Sequence, residues 1–180
     1  MDTMQYTHLY RSPLGTITLA ADSEGLTGLW FEGRKYFAAT LDAQHEETML
    51  PIFEQTRRWL DNYFGGNDPG PTPPLHLQGS PFRLAVWEIL RQIPFGKTIT
   101  YGEIAREITR RQGWKTVPAQ AVGGAVGHNP VSIIVPCHRV VGSNGSLTGY
   151  AGGIERKVRL LALEKADMTG LFAPQKGTAL

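Results

Sequence analysis

Residues 134–140 read IVPCHRV and hold the chain's one cysteine. A thiol flanked by an imidazole and a guanidinium has the makings of a nucleophile. Free cysteine titrates near about 8.5, so little of it is thiolate at neutral pH unless a base or a cation assists. His138 and Arg139 offer one group of each kind. An inert, buried cysteine is the competing reading, because free cysteine behaves as a small hydrophobe. Adjacency does not decide between them: in an extended strand residues 137 and 138 face opposite ways, whereas Pro136 signals that the strand has ended, and in a turn the two side chains can share a side. With no second cysteine, neither an internal disulfide nor a Cys-x-x-Cys zinc site can form. His128, Cys137 and His138 come nearest to a metal set, but two adjacent ligands fit a tetrahedral site poorly, so no metal is expected. His8, His45 and His76 read as ordinary surface or strand histidines.

The elements that must carry this thiol are legible in outline. Residues 6–31 alternate apolar and polar side chains and are broken at 13–15 and 23–25 by turn formers, which predicts three short antiparallel strands in a meander. Residues 46–63 place Phe53, Leu60 and their neighbours at helical spacing, an amphipathic helix to cover that sheet. GGNDPGPTPP, residues 65–74, is the candidate linker. Ser80-Pro81 then offers an N-cap with proline in the first turn, and Phe82, Ala85, Val86, Ile89 and Leu90 make one apolar face. A second helix starts near Tyr101, and the basic stretch RRQGWKT leads to VPAQAVGGAVGHNP. VSIIV, residues 131–135, reads as a buried strand, Asn144-Gly145 as a tight turn, and a last helix starts near Gly153 with Glu155, Arg156, Lys157 and Arg159 exposed. Residues 168–180 read as a flexible tail.

Residues 118–127 form a helix-like segment almost without side-chain bulk. Two adjacent glycines, Gly123 and Gly124, cost about 1 kcal/mol each relative to alanine, so something must compensate. Close packing on neighbouring helices is one answer; close approach to a narrow surface such as a nucleic-acid groove is the other. Helix, basic turn and small-faced helix resemble a helix-turn-helix with a long connection. Charge points the same way without deciding it. Net charge is +2, yet residues 1–78 hold five Lys/Arg against ten Asp/Glu and residues 79–167 hold twelve against six. A basic half suits a polyanion partner, and it also suits a merely solvated basic face. No apolar run is long enough for a membrane span and the N-terminal residues do not read as a signal sequence, so a cytoplasmic protein without membrane contact is expected.

The blocks PFRLAVWEILRQIPFGKTITYGEIA, AQAVGGAVG, NPVSIIVPCHRVVG and GYAGGIERKVRLLALE together closely resemble the O6-alkylguanine-DNA alkyltransferases, also called methylated-DNA–protein-cysteine methyltransferases. The likeness covers nearly all of residues 80–165; the first half is only compatible with it. It implies an α+β chain: a ribonuclease-H-like antiparallel sheet plus helix over residues 1–74 and a mostly helical, winged-helix-like DNA-binding domain over 75–167. It also implies irreversible, single-turnover transfer of an alkyl group from guanine O6 to Cys137, with O4-alkylthymine a further candidate substrate. His138 would take the thiol proton through a bound water, Glu164 would orient His138, Tyr101 would protonate the departing guanine, and Asn129 would brace the turn. Tyr150, Ala151 and Gly152 would flank the alkylguanine pocket. Ala119, Gln120, Ala121, Gly123 and Arg139 would meet the minor groove of double-stranded DNA, from which the target nucleotide is flipped. The resemblance calls for no cofactor, and a monomer is expected.

One residue departs from the family pattern. Many members carry an arginine where this chain has Gln120, and glutamine lacks the charge and the planar fork. Two other readings compete: a non-catalytic winged-helix-like module that binds damaged DNA, and a cysteine hydrolase. The first leaves Cys137, His138 and Glu164 idle, and the second needs a cleavable intermediate where a thioether is stable.

Overall fold

The computed structural model describes residues 4–174, and the chain in it divides into two compact units. One runs to Gln78 and takes in Pro130–Ile134; the other comprises Gly79–Asn129 and the chain from Val135. The α+β class expected from the sequence holds.

In the first unit β1 (Gln5–Ser12), β2 (Gly15–Ala21) and β3 (Leu26–Phe31) form the antiparallel meander that alternation predicts. A three-residue β4 (His45–Glu47) adds a parallel edge to β1, giving the order β3-β2-β1-β4. Its residues are all exposed, so no hydrophobic pattern announces it. Because 45–47 are spent on that edge, the following helix begins later than periodicity suggests: α1 is Pro51–Phe64, with proline in its first turn and Phe53, Leu60 and Tyr63 buried. Leu26 N–H donates to Pro74 O at 2.9 Å and His76 N–H to Leu26 O at 2.8 Å, so the unit runs on past residue 74.

VSIIV corrects a sequence expectation. It is buried throughout, but it is not a strand. Val131 makes one isolated bridge to Leu29, Ser132 N–H donates to Leu29 O at 3.0 Å, and Ile133 takes φ +69°, a left-handed conformation that β-branched residues rarely adopt. Hydrophobic runs report burial, and a short one does not specify backbone conformation.

The second unit is mostly helical. In α2 (Pro81–Arg91) the Ser80 hydroxyl accepts from Arg83 N–H at 3.2 Å, and in α3 (Tyr101–Gln112) Thr100 does the same for Glu103 at 3.1 Å. Gly113 ends α3 in the left-handed region, φ +66°. Next come α4 (Ala119–Gly127), a 3-10 turn (Cys137–Arg139) and α5 (Ile154–Leu163). A two-residue parallel pair, β5 (Ile99–Thr100) with β6 (Val140–Val141), ties the start of α3 to the end of the turn.

Residues after Asp167 were also expected to be loose, and as far as Phe172 they are not. Met168 and Leu171 pack on Val141, Leu147, Leu161 and Ala166, while Leu147 N–H donates to Phe172 O at 2.9 Å and Phe172 N–H to Gly145 O at 3.0 Å. Residues 175–180 lie outside the described part.

Trp87, 1% exposed, fastens α4 from below: its indole N–H donates to Ala125 O at 2.8 Å, satisfying one of the carbonyls that a helix C-terminus leaves without an intrahelical partner. Trp87→Phe keeps most of the packing and orphans that carbonyl, so unfolding in urea should show a loss of about 1–3 kcal/mol.

Candidate active site

Pro136 ends the apolar run and the chain tightens at once into the 3-10 turn, with Cys137 N–H donating to Val135 O at 2.8 Å and Arg139 N–H to Pro136 O at 3.0 Å. Asn129, fully buried, donates from Nδ2 to the same Val135 carbonyl at 2.7 Å. That carbonyl thus fixes the entry to the turn from two sides. Cys137 is 4% exposed and His138 is fully buried, so the thiol and the imidazole sit on one tight turn rather than on opposite faces of a strand.

Glu164 caps the end of α5, and its side chain is fully buried. His138 Nε2 lies 2.5 Å from Glu164 Oε2, and Arg139 adds Nε to Oε1 at 2.8 Å and Nη2 to Oε2 at 3.1 Å. Gly96 N–H donates to Oε1 at 2.9 Å. Burial pushes the carboxyl up, but the His138 hydrogen bond and the fork and charge of Arg139 outweigh it and hold Glu164 well below the usual carboxylate range. His138 moves down from its ordinary value because burial disfavours its cation. A neutral ring facing a carboxylate carries its proton on Nε2, which leaves Nδ1 as the basic nitrogen.

Arg139 is therefore a correction. Expected to meet DNA, it is 8% exposed and spends its guanidinium on Glu164 and, through Nη1, on Ile93 O at 2.7 Å. An ionised carboxylate inside a protein needs such a partner, and that need takes precedence over a surface role.

Lys157 is the residue that pattern reading missed. A charged position on an amphipathic helix reads as solvent-facing, yet Lys157 is 0% exposed. Its Nζ donates to Val140 O at 2.5 Å and to Thr148 O at 3.2 Å. Tyr101 OH donates to the same Thr148 carbonyl at 3.2 Å. Burial lowers Lys157 to about 8, against a smaller upward pull from the Cys137 thiolate. Burial and then the Cys137 charge raise Tyr101 above its ordinary value, so the phenol stays protonated. Lysine and tyrosine thus share one acceptor beside the sulfur. The only sequence signal was Val158, Leu160 and Leu161 flanking a lysine too close to the apolar stripe.

Tyr150 is 8% exposed and meets His138 edge-on, ring centroids 6.5 Å apart. Gly152 lies against it so closely that a Cβ would stand 2.6 Å from the Tyr150 ring. Ala151 is half-buried in the turn between them. On α4, Val122, Ala125 and Val126 face inward, while Ala119, Gln120, Ala121 and Gly124 are exposed and Gly123 is buried. A Cβ added at Gly124 or Gly127 would meet nothing within 4 Å. Internal packing does not require glycine at these two positions, whereas Gly123 lies buried. Among the described residues no group of three His, Cys, Asp or Glu could hold a metal, and no helix is long and apolar enough to cross a membrane.

Comparison with known families gives this arrangement a context. One family model, the 6-O-methylguanine DNA methyltransferase DNA binding domain, matches residues 81–166, and another, the ribonuclease-like domain of the same enzymes, matches residues 5–75. The chain belongs to the 6-O-methylguanine DNA methyltransferase family. A methylated-DNA–protein-cysteine methyltransferase of Haemophilus influenzae is 40% identical over 166 residues, 92% of this chain and 88% of the relative. One of Methanosarcina acetivorans is 42% identical over 161 residues, 88% and 97%. Mycobacterium tuberculosis OGT in complex with DNA superposes with a TM-score of 0.78 at 41% identity, covering 89% of this chain and 92% of that one. The methyltransferase resemblance in the sequence blocks around Cys137 therefore extends over both units.

Lys157 gives a test that needs no DNA. Lys157→Met removes a cation that favours the thiolate, so the apparent thiol pKa should rise by about one unit or more. The pH dependence of iodoacetamide labelling reads Cys137 alone, since no other cysteine is present; an unchanged pKa would show that the two groups do not interact.

Proposed function

We infer that this protein repairs DNA directly, moving the alkyl group of an O6-alkylguanine to the sulfur of Cys137 in a single, irreversible turnover. The observation that carries the reading is the turn that puts Cys137 beside a buried, neutral His138 held by an ionised Glu164, in a chain whose relatives are methylated-DNA–protein-cysteine methyltransferases. His138 Nδ1 takes the thiol proton, by way of a water. The sulfur attacks the alkyl carbon, the carbon–oxygen bond breaks, and the electron pair goes to guanine, which gains a proton from Tyr101. The phenol's raised pKa keeps that proton available until charge develops on the leaving base. The product is a thioether, which water does not cleave, so the acceptor is used once.

Duplex DNA is the partner, approached through the minor groove by α4. Its exposed Gly124 and half-buried Gly127 admit a close backbone, and an alkyl carbon inside a base stack can be attacked in line only after the nucleotide is flipped. Gln120, exposed in the first turn of α4, fills the vacated space. Tyr150, Ala151 and Gly152 flank the base pocket, and Asn129 holds the turn at its Val135 carbonyl. The first unit takes the part of the ribonuclease-like domain and the second that of the alkyl acceptor. The lone reduced thiol suits a cytoplasmic monomer.

Incubation with a duplex containing O6-methylguanine followed by intact-mass analysis should show a gain of one methyl, mapped to Cys137 and absent from Cys137→Ala. Binding without an adduct would identify a damage-binding module instead. A wedge role for Gln120 predicts that Gln120→Ala repairs single-stranded substrate at the parent rate and duplex substrate more slowly; equal rates on both would refute it.

A further inference from the structure

Phe172 is an exposed aromatic that lies beyond residue 166, where the family match ends. It is 46% exposed. With Tyr101, Gln120, Gly123, Asn144 and Thr148 it lines an open groove of about 700 Å³. Its lining thus takes in both residues of α4 and the Tyr101–Thr148 hydrogen bond, whose phenol feels the Cys137 charge.

The aromatic is held, not dangling. Its backbone pairs in both directions with the 145–147 segment, Leu147 N–H to Phe172 O at 2.9 Å and Phe172 N–H to Gly145 O at 3.0 Å. Asp167 caps the preceding turn by accepting from Thr169 N–H at 3.0 Å. Gly170 turns the chain at φ +77°, and Met168 and Leu171 anchor it in the core. The seat is so close that a Cβ on Gly145 would stand 2.0 Å from Gly170 O. Ordering a segment this firmly only to leave a phenyl ring nearly half in water costs conformational entropy without burying the ring fully. Its groove offers the amides of Gln120 and Asn144 and the small residue Gly123, a combination of aromatic face and hydrogen-bonding groups that suits nucleotides. Stacking on aromatic side chains is tolerant of base identity because every base presents a π-face.

We propose that Phe172 is a DNA-contacting residue, an aromatic platform in the wall of the groove for the strand that carries the flipped nucleotide. The assignment rests on the reading of Cys137 as an acceptor from DNA. It extends the DNA-contacting surface of α4 to Phe172.

The test compares Phe172→Ala, Phe172→Tyr and Phe172→Glu with the parent on two substrates: a duplex containing O6-methylguanine, and free O6-methylguanine, which offers the same methyl carbon without any DNA contact. Phe172→Ala should weaken duplex binding and slow duplex repair by about tenfold, Phe172→Tyr should restore both, and Phe172→Glu should be worse than alanine because it sets a carboxylate against phosphates. The rate with the free base should stay within about twofold of the parent in all three. Parent-like duplex binding in the alanine and glutamate variants would overturn the proposal. So would an equal fall on both substrates, which would make Phe172 a support of the turn. Failure of the parent to gain a methyl from DNA would instead defeat the repair reading itself, a separate and recognisable outcome.

Discussion

An ionised carboxylate taken out of water loses solvation worth several kcal/mol, and Glu164 regains it from two parts of the chain. His138 and Arg139 come from the turn after Pro136, and Gly96 from the loop between α2 and β5. Gly96 takes φ +77°, and a Cβ there would come within 3.0 Å of Glu164 O, so the loop reaches the acid with its backbone. Removing any of these donors would leave the carboxylate under-coordinated, and the 3-10 turn with Cys137 would lose what holds its far end. The near end is fixed by Asn129 at Val135 O. Between these two attachments the thiol has little freedom, which is what a nucleophile aimed at one carbon requires.

Much of this was legible from residue types. Ser80-Pro81 announced its helix because capping is local chemistry, decided within four residues. Pro136 announced the end of the apolar run. What pattern could not supply was direction. VSIIV is as buried as its hydrophobicity says, but burial is compatible with a turn as well as a strand, and Ile133 adopts a conformation its side chain disfavours. Lys157 was read as outward-facing because charges usually are, and Arg139 was assigned to the DNA groove from the family resemblance. Both point inward to acceptors far away in sequence, Glu164 and the carbonyls of Val140 and Thr148. Long-range partners of this kind leave no periodic trace.

The same two residues alter the meaning of the basic half. Arg139 and Lys157 count among its twelve cations, but neither presents charge to a surface, and Arg110 and Arg111 are paired with Glu107 on α3. Glu107 and Glu164 are already among the six acids of the tally, so these pairings leave the excess of cations standing and only take Arg139 and Lys157 away from the surface that phosphates could reach.

The bare outer face of α4 bears on how such a protein finds its target. Gly124 and Gly127 offer a base pair no donor, acceptor or methyl by which it could be told from the next. With DNA as the partner, these two positions add nothing that would hold the protein longer on one undamaged sequence than on another. Selection is then deferred to the moment a nucleotide leaves the stack, when a weakened pair opens more easily than a sound one. Search and recognition become separate events, and the absence of side chains at two positions is what separates them.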